Sequence, residues 1–102
     1  MANKLQGAAR DAALEGLARA GWALQDGRDA IAKTFVFRDF TQAFGWMTQV
    51  AIQAEKLNHH PEWSNVWSRV EIAITNHDAG GLTELDLEFC RRVDRLRLRA
   101  AG

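Results

Sequence analysis

Hydrophobic positions recur along this chain with two periods, and the changes from one period to the other divide it into seven segments. The stretch "LQGAARDAALEGLARAG" is rich in Ala and Leu, with Leu14 and Leu17 on one face and Gly21 placed to stop it. This predicts a helix from about Gly7 to Ala20. "WALQ" and "AIAKTFVF" then flank the turn-rich connector Asp26-Gly27-Arg28-Asp29. In the second run Ile31, Lys33, Phe35 and Phe37 share one side, and Ala32, Thr34 and Val36 the other. The alternation predicts two antiparallel strands joined as a hairpin.

Asp39, with Gln42 three residues on, supplies an N-cap and its capping-box partner ahead of "FTQAFGWMTQVAIQAEKL". Phe40, Ala43, Phe44, Met47, Val50, Ala51 and Ala54 recur at helical spacing as an apolar stripe. Ile52 falls off this stripe and Trp46 at its margin. That leaves two readings, ordinary scattered exposure or a surface for self-association. "WSNVW" and "RVEIAIT" read as two more strands joined by a tight turn near Ser68. "NHDAGG" is a loop, and Thr83 to about Arg97 a last helix whose buried stripe would be Leu85, Phe89, Val93 and Leu96. The order is α-β-β-α-β-β-α, with hairpins in place of crossovers. It predicts a single α+β domain spanning residues 1–102, a two-layer sandwich with a four-stranded antiparallel sheet and helices on one face.

Composition narrows the function classes. Thirteen basic residues balance thirteen acidic ones among 102, so no global field favours nucleic acid or a membrane surface. The basic run "RRVDRLRLR" is broken by Asp94 and by leucines, as a solvated helix face would be. Cys90 is the one cysteine, which excludes an internal disulfide and fits a reducing compartment. No apolar run approaches the roughly 20 residues of a membrane span, and no signal-peptide pattern opens the chain. A cytoplasmic protein is expected.

The chemistry-bearing residues cluster. All three histidines, His59, His60 and His77, lie within a short stretch of the chain. Pro61 disfavours helical backbone at His60, so the pair sits at a helix-to-strand junction. His60 and His77 lie at equal distances from a Ser68–Arg69 turn, which would bring them opposite each other at one end of the sheet. Glu55 is about a turn before the helix ends, near the same edge. Three readings follow: polar loop residues that happen to be histidine, a metal site of three His and a carboxylate, or acid–base chemistry. Adjacent histidines project apart and the His-x₃-His helical spacing is absent, which weakens the metal reading. Acid–base chemistry leads.

"GRDAI", then "EKLNHHPEW", then a histidine seventeen residues after His60 within "TNHDAGGLTELD" resemble the pterin-4a-carbinolamine dehydratase (4a-hydroxytetrahydrobiopterin dehydratase) family. The resemblance runs from about Gly21 to Asp86. It implies dehydration of a 4a-hydroxytetrahydropterin to quinonoid dihydropterin, with no metal or organic cofactor. It also implies a partner, a pterin-dependent aromatic amino acid hydroxylase that reuses the product after its reduction, and a homodimeric or homotetrameric assembly. The family's catalytic histidines fall on His59, His60 and His77, and its carboxylates on Glu55 and Asp86. Pro61 belongs to the motif, and the flat pterin would lie near Trp63 or Trp22, although a buried Trp is more often simply core. Thr83-x-x-Asp86 also reads as a capping-box helix start, so Asp86 has a structural role open to it as well as a supporting one. Asn58 stands where the family commonly has Asp, and Leu85 where it commonly has a basic residue. The resemblance also implies a second role, because some members of the family also act as dimerisation cofactors of a homeodomain transcription factor. A non-catalytic binding module is therefore the alternative function.

Overall fold

A computed structural model of the chain describes residues 3–100. Its elements run α1 (Gly7–Arg19), β1 (Ala23–Leu24), β2 (Ile31–Val36), α2 (Phe40–Leu57), β3 (Glu62–Val66), β4 (Arg69–Ile74) and α3 (Glu84–Arg99). The strands form one antiparallel sheet in the order β1-β2-β4-β3, so β2 and β4 are central and the two hairpins meet along them. The predicted α+β class and element order are those observed.

The termini of α1 and α2 follow the same physics. At the end of α1, Gly21 has φ +96°, its N–H donates to Ala18 O at 3.1 Å, and Trp22 N–H donates to Leu17 O at 2.9 Å. This pair of bonds closes the helix through a left-handed residue, as Gly21 predicts. It also shortens the first strand. Trp22 N–H is spent on the helix, and β1 has only Ala23 and Leu24 in register, opposite Ala32 and Ile31. At the other start, Asp39 Oδ1 accepts from Gln42 N–H at 2.8 Å, while Gln42 Oε1 accepts from Arg38 N–H at 2.8 Å.

Strand β2 buries Ile31 and Phe35 on its helix-facing side, and Phe37 just beyond it is buried too. Lys33, on that same side, donates to Asp94 Oδ1 at 2.7 Å and to Ala20 O at 2.7 Å. Val70, Ile72 and Ile74 of β4 complete the sheet's share of the core.

Two helix faces differ from expectation. On α2 the buried residues are Ala43, Trp46, Val50 and Ala54, while Phe40, Phe44 and Ile52 are about half exposed. Trp46 lies at the centre of the core. Its ring stands 4.7 Å from that of Phe35 and 5.1 Å from that of Phe37. A stripe centred on the two phenylalanines is thus rotated away from the face that packs, because a bulky ring from β2 selects the partner it can reach. On α3, Leu87 and Cys90 join Phe89 and Val93 as buried residues, whereas Leu85 and Leu96 are only half-buried. This helix borders two neighbours: Leu87 and Cys90 line a hollow against α1, and Leu96 lines one against α2. Its buried arc is correspondingly broader than one stripe.

Candidate active site

Helix α2 ends at Leu57, and Asn58 follows in the left-handed conformation with φ 49° and ψ 46°. Asn58 N–H donates to Glu55 O at 3.2 Å and His59 N–H donates to Ala54 O at 3.0 Å. Asn tolerates this conformation better than most side chains. The residue that departs from the family's common Asp is therefore the hinge that delivers His59 to the interior. His59 is 8% exposed, and its Nε2 meets Asp86 Oδ1. Asp86, fully buried in the first turn of α3, also accepts from Thr83 N–H at 2.6 Å and Thr83 Oγ1–H at 3.0 Å through Oδ2. The capping role and the histidine-holding role belong to the same carboxylate, one oxygen to each.

The second hairpin turns one residue earlier than expected. Val66 pairs with Arg69, so Trp67 and Ser68 are the turn residues, with Trp67 at φ 49°. Asn65 Nδ2 braces the turn by donating to Trp67 O at 3.0 Å and Arg69 O at 2.9 Å. The last ladder pair is Glu62 opposite Ala73, and continuing that register sets His60 against Thr75, not His77. Direct opposition of the two histidines is therefore overturned by a one-residue shift of the turn. Their convergence is not. The segments leaving the ladder flank one cleft of about 230 Å³, lined by His59, His60 and His77 with Asn58, Thr75 and Asn76 among their neighbours.

Each imidazole faces a carboxylate. Beside the buried His59–Asp86 pair, His60 Nε2 lies 3.5 Å from Glu55 Oε2 in a loose, exposed contact. His77 Nε2 lies 3.2 Å from Glu62 Oε2. Glu62 is the residue that sequence reasoning missed, although it sits inside the quoted "HHPEW" run. It also accepts both Arg28 Nη1–H and Nη2–H, at 2.9 and 2.8 Å. The forked Arg28 contact, and secondarily His77, hold its carboxyl below the usual carboxylate range. Pro61 leads directly into β3. Trp63, opposite Ile72 on the helix-facing side of that edge strand, is half-buried against the core. Trp22 is not in the cleft. It is 2% exposed in the core, edge-on to Phe35 at 6.1 Å, and its indole N–H donates to Asp94 Oδ2 at 2.9 Å. Leu85, where the family is commonly basic, is half-buried beside Asp86 and brings no charge to it.

Among the described residues no three His, Cys, Asp or Glu side chains converge as a metal-binding group. A larger hollow of about 340 Å³ lies between α2 and α3, lined by Thr41, Gln42, Trp46, Gln49, Leu96 and Arg99. It contains no histidine or carboxylate, whereas the smaller cleft gathers three imidazoles, the groups suited to acid–base work near neutral pH.

The sequence model of the family described as "Pterin 4 alpha carbinolamine dehydratase" matches residues 3–96. The chain belongs to the pterin-4a-carbinolamine dehydratase family. A relative from Jannaschia sp. (strain CCS1), named "Putative pterin-4-alpha-carbinolamine dehydratase", is 60% identical over 96 residues, covering 94% of this chain and 98% of its own. A solved structure of a transcriptional coactivator/pterin dehydratase from Brucella melitensis superposes with a TM-score of 0.85 at 44% identity, covering 92% of this chain and 98% of that one. A pterin dehydratase-like protein described as a RuBisCO assembly factor in the alpha-carboxysome shares the fold at a TM-score of 0.65 and 25% identity, over 74% of this chain and 88% of its own. Membership thus fixes the dehydratase family, and the names of its members span more than one activity. No helix among the described residues is long and apolar enough to cross a membrane.

Proposed function

We propose that this protein dehydrates a 4a-hydroxytetrahydropterin to quinonoid dihydropterin by histidine acid–base catalysis, without metal or organic cofactor. The observation that carries this reading is the meeting of three imidazoles in one cleft, each against its own carboxylate. The 4a oxygen leaves as water once a protonated imidazole supplies its second proton. A neutral imidazole accepts the ring-nitrogen proton as the new double bond forms. Imidazole is suited to both roles near neutral pH. Asp86 would hold the His59 ring by its Nε2 edge and leave Nδ1 as the nitrogen available to substrate. Trp63 lines the hollow beside Glu62 and not the histidine cleft itself, so as an aromatic wall it would meet only a pterin that extends from one to the other, and Trp22 is withdrawn from that role by its burial in the core. The product, once reduced by two electrons to the tetrahydropterin by a separate reductase, would be reused by an aromatic amino acid hydroxylase in a reducing, cytoplasmic setting. The deciding experiment is stopped-flow dehydration of enzymatically generated 4a-carbinolamine. Turnover that persists after chelation supports the cofactor-free mechanism, and activity lost to chelator and regained with zinc overturns it.

A second reading, self-association through α2 in a binding-type role, is favoured by Phe40, Phe44 and Ile52. These are 47, 52 and 45% exposed along one helix. It is also in keeping with the coactivator and assembly-factor descriptions of the two solved neighbours. The two roles use different surfaces and can coexist. Dehydration separates them, because a pure binding module has no need of intact histidines.

A further inference from the structure

Across the open face of the sheet, one row of ladder partners runs Ala23, Ala32, Ala73, Glu62. Three methyl groups in succession leave that face low. Nothing tall in this row separates the β1–β2 connector, at one side of the sheet, from Glu62 on the edge strand at the other. Arg28 of the connector makes its forked contact with Glu62 from this position, although 34 residues separate them. Glu62 Oε2, which accepts one arm of the fork, also faces His77 Nε2.

The connector holds the His77 loop a second way. Its next residue, Asp29, accepts Thr75 Oγ1–H through its backbone carbonyl at 2.7 Å and Leu82 N–H through its side chain at 3.0 Å. Both ends of the loop carrying His77 are therefore tied to the residue beside Arg28. Within the loop, Gly80 N–H donates to His77 O at 3.2 Å and Gly81 N–H to Asn76 O at 3.1 Å. The backbone of His77 is fixed by these bonds, while its side chain is 78% exposed. Among the described residues, Glu62 is the charged partner that its imidazole meets.

We propose that Glu62, clamped by Arg28, is a positioning residue that orients the His77 imidazole toward the cleft. Glu62 would accept the Nε2 proton of the ring and so present Nδ1 as the free nitrogen. Arg28 acts through Glu62 by occupying both carboxylate oxygens, which restricts the rotamers from which Glu62 can meet His77. The proposal rests on the dehydratase reading for its catalytic consequence but not for its geometry, and the test keeps the two apart.

Three variants of the full chain decide it, each compared with the parent. Glu62→Ala removes the acceptor and Arg28→Met removes the clamp. The charge swap Arg28→Glu with Glu62→Arg restores the ion pair but leaves no acceptor for His77. The readouts are kcat and KM for carbinolamine dehydration, and carbon-13 relaxation of the His77 ring in the free protein. Glu62→Ala is expected to lower kcat about three- to tenfold, at the weak end for acid–base support because the contact is exposed. KM should change by less than about twofold. The His77 ring becomes more mobile in Glu62→Ala, and to a smaller degree in Arg28→Met. The swap recovers thermal stability but not kcat. Recovery of kcat by the swap would reduce Glu62 to a connector-to-strand tie and overturn the proposal. So would a His77 ring as ordered in Glu62→Ala as in the parent. If the parent shows no turnover, the dehydratase reading falls and ring order alone decides the role of Glu62.

Discussion

His59, His60 and His77 meet the cleft from three different environments. His59 is buried on Asp86, whereas His60 and His77 keep 58 and 78% of their side chains exposed beside Glu55 and Glu62. A carbinolamine can carry its hydroxyl on either face of the ring, so two imidazoles from adjacent positions can serve opposite epimers. His77→Ala is expected to slow both epimers, by about 10²-fold given a reactive leaving group. His59→Ala and His60→Ala should each slow mainly one. Single-turnover dehydration of stereodefined substrates measures this, and equal losses for both epimers in all three variants would remove the division of labour. Asn58 makes a separate residue-scale prediction. With φ 49°, Asn58→Ala should cost about 1 kcal/mol in denaturant unfolding, while Asn58→Gly should be near neutral. A neutral Asn58→Ala would mean the left-handed turn is not what ends α2. His59, His60 and Asp86 were legible as a set because they lie in motifs with local signatures. Glu62 was not. Its partners come from a connector and a loop remote in sequence, and an acidic residue opening a strand reads as ordinary surface.

Among the elements, the β1–β2 connector carries more than a turn. Asp29 accepts Arg10 Nη1–H and Nη2–H at 3.0 and 2.6 Å, tying α1 to the loop that holds His77. The Arg10 fork, aided by Leu82 N–H, pulls its carboxyl below the usual range against an opposing contribution from burial. A depressed folded pKa contributes stability that is present above the unfolded value, about 4, and is lost as pH falls through the folded one. The melting-temperature gap between the parent and Asp29→Asn should therefore be largest at neutral pH and narrow as pH falls below about 4. A gap that is constant with pH would sink the assignment. Gly81 abuts the same carboxylate. A Cβ there would collide with Asp29 Oδ2 and stand 2.8 Å from Lys4 Cε. Gly81→Ala is expected to destabilise by about 1–3 kcal/mol, measured by urea unfolding, because Arg10 and Leu82 leave the carboxylate little room to retreat. Unchanged stability would show that the clamp can yield.

At the level of the whole molecule, the sandwich has helices over one face of the sheet and leaves part of α2 uncovered. Phe40 and Phe44 pack on each other with ring centroids 5.5 Å apart but remain half exposed, and Ile52, farther along α2 and turned about 80° from Phe44, is half exposed too. Trp46 cannot contribute to a contact there, being 2% exposed beneath it. Ile52→Asp should lower the assembly size in light scattering while leaving the fold intact by circular dichroism. A parent protein that is already monomeric would end the proposal of self-association through α2.

Local chemistry determined the element order, the faces of β2, the starts of α2 and α3 and the stop of α1. Periodicity, caps and a left-handed glycine are written within a few residues of where they act. Tertiary contact decided the rest. The face of α2 that packs was selected by the rings of Phe35 and Phe37, and Trp22 was drawn into the core and onto Asp94, 72 positions away. The second hairpin's β4 is fixed on its other side by pairing with β2, Phe35 opposite Val70, and Glu62 acquired its place from Arg28 and His77. Each of these depends on which distant segments arrive together, and that information enters only when loop closure and packing are satisfied at once.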